Sequence, residues 1–341
     1  MGIYPVRRRR PVLLIALAAI LALLAPLSPA TSMAAPADPL AASTQVEPAV
    51  VRLDTEIDYQ NAIGNGAGIV LDPNGQVLTN FHVVSGADRI NATVAGRTYP
   101  AELIGYDRRH DIAVLQLIGA VGLPTAPIGD STTLTGGEPV VALGNAMGTN
   151  RPLTREVGTI TGFGRTVNAE DTLTGSKDEL TGLIEFAAPV VAGDSGGPVV
   201  NAAGQVVGIT TAASVNYRLG PGGEGYAIPI NDALAIADQI RARIPSDSVH
   251  IGPPVLLGVG VRTAQRGPGV FIAEVLRGGP ADRAGLVDGD ILLALDGVPL
   301  DSATALTYVL DRHYPGDVLD VTWLDRAGQQ RTGKVALTPT V

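Results

Sequence analysis

Short runs of valine, isoleucine and leucine, separated by glycine and asparagine, follow one another from Val46 to Val207. One run, Gly68–Leu71, is joined to the next, Gln76–Thr79, by the turn sequence DPNG at Asp72–Gly75. Two apolar runs on either side of such a turn predict a β-hairpin. Because the pattern repeats through this region, it predicts an all-β barrel or sandwich.

The chain of 341 residues is long enough for two domains. In the first, at 46–244, Asn231 is predicted to be the N-cap of a helix that ends at Pro245. The proline-containing segment 245–255 is predicted to be a linker, and 256–341 show strand and helix patterns of a small α/β domain. The apolar face of the helix would consist of Leu234, Ala237, Ile240 and Ile244.

The N-terminus resembles an export signal. Arg7–Arg10 precede the apolar run Pro11–Leu27, and small residues suited to cleavage follow. Residues 1–34 are therefore predicted to be a signal peptide or, if retained, a single membrane anchor. Residues 35–45, rich in alanine and proline, are predicted to be a flexible tether. In both cases we expect the rest of the chain to lie outside the cytoplasm, secreted or in the cell envelope.

The composition excludes several classes of function. The chain has no cysteine, so we expect neither disulfides nor cysteine-ligated zinc, and we predict no metal and no cofactor. Its 33 acidic and 24 basic residues give a formal net charge of −9 at pH 7. Such a charge disfavours nucleic acid and anionic lipid as partners.

Hydrolysis of an amide at neutral pH needs a nucleophile, a base, a group that orients the base and donors for the oxyanion. Of the four histidines, we expect His250 and His313 to be solvated, and His110 to point away from the adjacent Asp111 on an extended backbone. His82 remains as the candidate base. A histidine beside a strand is more often structural than catalytic, so this assignment depends on its partners.

Asp111 stands at the head of the apolar run Ile112–Leu117, where a carboxylate is costly to bury without a partner. An imidazole N–H is a natural partner, and Asp107 is the alternative carboxylate. Ser195 lies in the sequence GDSGGP, whose glycines allow a turn that brings the amides of Gly193 and Ser195 toward one oxygen. The chain order His, Asp, Ser is that of chymotrypsin.

Several segments resemble, in order, motifs of the HtrA (DegP/DegS-like) serine proteases. The resemblance covers roughly Pro48–Val341 and implies a mainly β fold, a chymotrypsin-like double β-barrel with the site in the cleft between the barrels. It implies that Ser195 is the nucleophile, His82 the general base and Asp111 its orienting group. Gly193 and Ser195 would form the oxyanion hole. The matching segments are 65–70, 78–84, 111–115, 142–148 and 225–229.

The resemblance also implies a primary specificity pocket lined by uncharged residues. We therefore expect cleavage after small or medium aliphatic residues, with the substrate pairing by its backbone along Thr210–Ala212. The residues of the pocket and the substrate strand would be Val190, Val191, Ala192, Thr210, Thr211 and Ala212.

Asp194 is a departure from the family. HtrA proteins usually have asparagine before the serine, whereas an aspartate there resembles the digestive trypsin-like enzymes, in which it pairs with a new N-terminus. The sequence shows no activation site for such a cleavage. A buried Asp194 needs hydrogen bonds or a cation, and its partner stays open at this point.

The C-terminal domain resembles a PDZ module through residues 280–292, which match P-A-x-x-A-G-L-x-x-G-D-x-I. The resemblance implies that backbone amides of Leu257 and Gly258 bind a C-terminal carboxylate. The peptide would add as a strand beside a helix at Ala303–Arg312. The alternative is a domain that only packs on the protease. The whole carboxylate-binding loop would be Leu256, Leu257, Gly258 and Val259.

Together these features predict an exported endopeptidase, active in protein quality control, that cleaves unfolded or extracytoplasmic proteins. Its partners would be protein or peptide substrates and, at the PDZ-like domain, C-terminal peptides. A membrane would be a partner only if the N-terminal segment is retained. Relatives are commonly trimers, so the resemblance makes a homotrimer one candidate, and the oligomeric state stays open at this point. The alternative function is a catalytically silent, chaperone-like peptide-binding scaffold.

Overall fold

The structure is a computed structural model that describes residues 38–339 except 58–61, 147, 149–150, 171–176, 212–222 and 264–267. The predicted signal segment 1–34 lies outside these residues. Among the described residues, every helix is too short or too polar to span a bilayer.

The elements up to residue 251 are the strands β1 (Val50–Ile57), β2 (Ala62–Asp72), β3 (Gln76–Thr79), β4 (Arg89–Val94), β5 (Arg97–Asp107), β6 (Ile112–Leu117), β7 (Pro139–Gly144), β8 (Thr154–Glu170), β9 (Lys177–Ala187), β10 (Pro198–Asn201), β11 (Val206–Thr211), β12 (Gly225–Pro229) and β13 (Val249–Ile251), with the helices α1 (Pro39–Ser43), α2 (Phe81–Val84) and α3 (Ile230–Arg241). The elements after residue 251 are β14 (Val255–Leu256), β15 (Val259–Thr263), β16 (Val270–Val275), α4 (Pro280–Arg283), β17 (Ile291–Leu295), β18 (Val298–Pro299), α5 (Ala303–Leu310), β19 (Val318–Leu324), β20 (Gln330–Ala336) and β21 (Thr338–Pro339).

The first twelve strands form two antiparallel barrels. In the first, β5, β4, β1, β2, β3 and β6 are neighbours in that order, and pairing of β5 with β6 closes the sheet. In the second, β10, β11, β12, β9, β8 and β7 form a closed barrel. Side chains alternate as a strand requires: Val51 and Leu53 of β1 are fully buried, whereas Arg52 between them is partly exposed. The predicted mainly β fold with a double barrel is confirmed.

Helix α3 differs from its prediction at both ends. It begins at Ile230, so Asn231 is not its N-cap. Instead, the side-chain oxygen of Asn231 accepts hydrogen bonds from the backbone N–H and hydroxyl of Ser131, at 3.1 and 3.0 Å. Ile244 lies beyond the end of the helix and is 57% exposed. The buried face consists of Ile230, Ala233, Ala237 and Ile240.

Two segments that the sequence predicts to be irregular are partly ordered. Within the predicted tether 35–45, residues Pro39–Ser43 form α1, capped by Asp38 and packed against the second barrel. Within the predicted linker 245–255, β13 pairs with β5 and extends the sheet of the first barrel. Both predictions missed contacts that join these segments to distant strands.

The C-terminal domain has its own sheet, in the order β15, β16, β17, β19, β20, and a separate core. The predicted strands Ile291–Leu295 and Val318–Leu324 match β17 and β19, and the predicted helix is α5, which ends at Leu310 rather than Arg312. Strand β15 is at the edge of the sheet and contacts α5.

Asp311, which follows α5, joins the C-terminal domain to the first barrel. Its carboxylate accepts hydrogen bonds from the Tyr106 hydroxyl at 2.7 Å and from Arg108 Nε at 2.7 Å. Burial and the neighbouring Asp311 carboxylate raise the pKa of Tyr106 well above its usual value. The side chains of Arg108 and Asp311 are 8% and 12% exposed, so this ion pair is largely desolvated.

His250 lies at the same junction, and the expectation that it is solvated is wrong. It is buried, and its ring stacks between Tyr106 and Tyr314 with centroid separations of 5.0 and 4.6 Å. Nδ1 lies 2.8 Å from the carbonyl oxygen of Asp311, and Nε2 lies 3.1 Å from that of Pro253. His313 is also mostly enclosed, with 18% of its side chain exposed.

Candidate active site

His82 lies in α2, the short helix that follows β3. Its Nδ1 is 2.8 Å from Asp111 Oδ2, and its backbone N–H donates to Asp111 Oδ1 at 3.0 Å. With Nδ1 facing an acceptor, the ring carries its proton there, and Nε2 becomes the basic nitrogen. The side chain of His82 is 43% exposed, which is the arrangement a base needs to reach a substrate.

Asp111 has a left-handed backbone with φ of 55° in the turn before β6. Its carbonyl oxygen accepts hydrogen bonds from Asn80 Nδ2 at 2.9 Å and from the N–H of Phe81 at 3.3 Å. Thr211 Oγ1 donates to Asp111 Oδ2 at 2.9 Å. The carboxylate thus faces donors from both barrels, which fixes its orientation toward His82.

The loop that carries Ser195 is tied to the same place. The carbonyl oxygen of Ser195 accepts a hydrogen bond from the N–H of Ala67 in β2 at 2.8 Å. The N–H of Gly196 donates to the carbonyl oxygen of Thr210 at 2.8 Å, and Thr210 precedes the residue that contacts Asp111. The structure therefore brings the histidine, the aspartate and the serine loop to the boundary between the two barrels.

Gly193 has φ of 99°, a conformation that favours glycine. A Cβ at this position would lie 2.6 Å from the Cα of Ala146, so the backbone packs directly on that residue. The carbonyl oxygen of Gly193 accepts a hydrogen bond from the N–H of Asn145 at 3.0 Å. These contacts hold the peptide next to the serine in one position.

Asp194, whose partner the sequence left open, is buried beside the start of β8. Its carboxylate accepts a hydrogen bond from the hydroxyl of Thr154 and one from the N–H of Val191 at 2.9 Å. Burial raises the pKa of this carboxyl above its ordinary value, and the hydrogen bonds act in the opposite direction. The sequence held no signal that would identify Thr154.

The predicted pocket residues differ in their surroundings. Val190 is buried, whereas Val191 is 51% exposed and Ala192 is exposed beside the serine loop. The backbone N–H and C=O of Thr210 are both bonded within the protein, to Gly197 and Gly196, so Thr210 is not offered for substrate pairing. The side chain of Thr211 contacts Asp111 instead of a pocket. Ala212 lies outside the described residues.

The predicted carboxylate-binding loop lies between β14 and β15. Leu256 ends β14, and Val259 begins β15. The carbonyl oxygen of the buried Leu257 accepts a hydrogen bond from the N–H of Ala281 at 2.9 Å. Gly258 has φ of 79°, and its carbonyl oxygen accepts from the N–H of Leu276. The loop therefore leads directly into the edge strand beside α5.

The alternative carboxylate Asp107 has a different partner. Its Oδ2 is 2.8 Å from Nδ1 of His110, so it does not orient His82. The hydrogen bond to Asp107 raises the pKa of His110 above its usual value. Among the residues that the structure describes, no group of histidine, aspartate and glutamate side chains could hold a metal ion.

Two families of domains match this chain. The family model of the trypsin-like peptidase domain matches residues 66–209, and that of the PDZ domain matches residues 255–337. Both matches agree with the domains that the fold shows.

Three curated relatives are similar to most of the chain. The Do-like serine protease HtrA of Lactobacillus helveticus is 32% identical over 80% of this chain and 68% of its own length. The serine protease PepD of Mycobacterium tuberculosis is 32% identical over 86% of this chain and 65% of its own length. A serine endoprotease of Halomonas elongata, named as periplasmic and DegP-like, is 34% identical over 80% of this chain and 56% of its own length.

The chain thus spans less than two thirds of two of these relatives. The two family models match the peptidase domain and the PDZ domain in the order that the fold shows. The chain belongs to the HtrA family of trypsin-like serine proteases with a C-terminal PDZ domain.

Proposed function

We propose that this protein is an exported serine endopeptidase that cleaves unfolded or extracytoplasmic proteins. Ser195 is the nucleophile, His82 removes its proton through Nε2, and Asp111 holds the histidine in the required tautomer. The observation that carries the proposal is the 2.8 Å contact between His82 Nδ1 and Asp111 Oδ2, next to the loop of Ser195.

The reaction proceeds in two stages in this proposal. Ser195 attacks the scissile carbonyl, and the oxyanion accepts hydrogen bonds from the amides of Gly193 and Ser195. His82 then donates the proton to the leaving amine, and water releases the acyl group by the reverse route. Thr211 supports Asp111, which stabilises the imidazolium that forms during both stages.

The PDZ domain in this proposal binds C-terminal peptides of substrates or of regulatory partners. Support comes from the edge strand β15, which lies beside α5 and follows the loop Leu256–Val259. A peptide that adds to such an edge gains backbone hydrogen bonds along its length. The extracytoplasmic location is supported by the name of the Halomonas elongata relative, which places that protein in the periplasm.

Labelling with a serine-directed phosphonate, with and without a C-terminal peptide, tests the proposal. We expect the mature protein to be labelled at Ser195, and Ser195→Ala to lose labelling and about 10⁴-fold or more of peptidase activity while peptide binding survives. Ser248→Ala, a serine in the segment before β13, is the matched control and keeps both activities. Absence of labelling in both conditions would favour the silent scaffold instead.

A further inference from the structure

Asp194 carries a buried carboxylate directly before the serine. The residue is 1% exposed, and its carboxylate accepts hydrogen bonds from the hydroxyl of Thr154 and from the backbone of Val191 and Ala146. In the described part of the chain, no arginine, lysine or histidine forms an ion pair with it. A buried charge without a cation depends entirely on its hydrogen-bond donors.

A neighbouring charge has the same sign as Asp194. The pKa of Glu156 is raised, chiefly by its burial and further by the charge of Asp194. The two carboxylates are therefore close enough to repel each other. The neighbouring Arg155 is bound to Glu47, through Nε at 2.6 Å and Nη2 at 2.7 Å. The surroundings therefore increase the importance of each neutral donor to Asp194.

Thr154 is the one side-chain donor among these contacts, and its position is fixed by the second barrel. It is the first residue of β8 and pairs with Gly144 of β7. Gly144 leaves room for Asp194, because a Cβ there would lie 2.1 Å from Asp194 Oδ1. The side chain of Asp194 thus packs against the paired residues Gly144 and Thr154.

The Asp194 carboxylate connects β8 to the turn that carries the proposed oxyanion donors. One oxygen accepts from Thr154 on the barrel, and the other accepts from Val191 within the turn itself. The N–H of Asp194 donates to the carbonyl oxygen of Val191 at 3.1 Å. Gly193 lies inside this closed turn, so the position of its amide follows the position of Asp194.

We propose that Thr154 is a positioning residue for the oxyanion hole. Its hydroxyl holds Asp194, and with it Gly193, in the role that a new N-terminus has in the digestive trypsin-like enzymes. The role rests on the proposed function, because it concerns the same transition state. The proposed role requires no contact between Thr154 and the substrate. Thr154 acts through Asp194 on the geometry of the Gly193 amide.

The test compares Thr154→Val with Thr154→Ser on the mature protein, using a peptide substrate. Loss of one direct oxyanion donor costs about 10²–10³-fold in kcat. Because Thr154 acts indirectly, we expect Thr154→Val to lower kcat by roughly 10- to 100-fold with KM within about twofold. Thr154→Ser keeps the donor and should restore most of the rate.

Thr159→Val is the matched control, since Thr159 is an exposed threonine on the same strand. Thermal unfolding of all variants identifies any loss of fold. If Thr154→Val keeps the wild-type kcat, or raises KM alone, the proposal is overturned. If the wild type itself neither cleaves nor reacts with the phosphonate, the proposed function fails and this role falls with it.

The pH profile separates positioning from a purely structural effect. The hydrogen bond from Thr154 lowers the pKa of Asp194 against the effect of burial. Without that donor the carboxyl takes up a proton more readily, and the acid limb of kcat should move to higher pH in Thr154→Val but not in Thr154→Ser. A uniform loss of rate at all pH values, with the limb unmoved, would contradict the proposal.

Discussion

Asp111 combines an unfavourable backbone conformation with a central place in the candidate site. A left-handed conformation costs a residue with a side chain roughly 1–2 kcal/mol. The structure offsets this cost at both ends of the residue, through Asn80 at its carbonyl oxygen and His82 at its carboxylate. On an extended backbone the side chain would point elsewhere, so the positive φ is part of how the carboxylate reaches His82.

Replacing Asp111 with asparagine should lower kcat by about 10⁴-fold with the fold intact. The amide can present an N–H to Nδ1 and thereby favour the tautomer in which Nε2 carries the proton and cannot act as the base. Asp107→Asn is the matched control, because the Asp107 carboxylate lies at the same distance, 2.8 Å, from Nδ1 of His110. Steady-state kinetics on a peptide substrate measures both variants. Equal losses in the two would refute the assignment of Asp111.

At the scale of elements, the turn between β5 and β6 repeats the contacts of the candidate site. The N–H of His110 donates to Asp107 Oδ1 at 3.1 Å, and its Nδ1 lies 2.8 Å from Asp107 Oδ2. His82 makes the same two contacts with Asp111. Both histidine–aspartate pairs therefore have the same hydrogen-bond geometry, but only His82 and Asp111 lie beside the serine loop. The contacts between Asp107 and His110 instead stabilise the turn that contains Asp111.

The turn pair should make stability depend on pH. The folded-state pKa of His110 is raised, chiefly by its hydrogen bond to Asp107, with opposing effects from burial and Arg109 and a further increase from Asp232. A raised pKa means that the stabilisation is fully present below the unfolded pKa, near 6.5, and is lost as pH rises through the folded value.

We therefore expect His110→Gln to reduce the free energy of unfolding more at pH 5.5 than at pH 8.5. The difference should be below about 1 kcal/mol, because half of the His110 side chain is exposed and solvent screens the pair. Urea denaturation at the two pH values measures it. A loss of the same size at both would show that the ion pair contributes nothing.

At the scale of the molecule, the PDZ domain is bound to the first barrel next to the turn that carries Asp111. Arg108 and Tyr106 of that barrel meet at Asp311, and Tyr308 of α5 donates to Asp178 at 2.8 Å. The backbone N–H of Lys177 donates to Thr304 Oγ1 at 2.8 Å. The helix beside the proposed peptide groove, together with the residue that follows it, thus contacts both barrels.

Removal of Asp311 should loosen this junction. Asp311→Ala removes the carboxylate of the largely buried Arg108–Asp311 ion pair, and breaking a buried pair typically costs about 3–5 kcal/mol. We expect faster hydrogen–deuterium exchange in β13 and at the end of α5. Asp320→Ala, which breaks an exposed pair with Lys334, is the control. Exchange rates that match this control would show that the Arg108–Asp311 pair does not hold the domains together.

The sequence by itself determined the strand-rich fold, the two domains and the candidates His82, Asp111 and Ser195. Turn residues, strand lengths such as Ile291–Leu295 and the spacing around GDSGGP are local, so a single stretch of chain carries each signal. The general base could be assigned by comparing candidates, because the chain has only four histidines.

Only the tertiary structure decided the burial of His250 and the secondary structure within the predicted tether and linker. It also decided that Thr211 donates a hydrogen bond to Asp111 and that Thr154 is the partner of Asp194. Each depends on residues far apart in sequence: Thr154 and Asp194 are separated by 40 positions, Asp111 and Thr211 by 100, and Arg108 and Asp311 by 203. No local pattern encodes such pairs, because they form only after both barrels and the PDZ domain have packed and the buried polar groups have found donors.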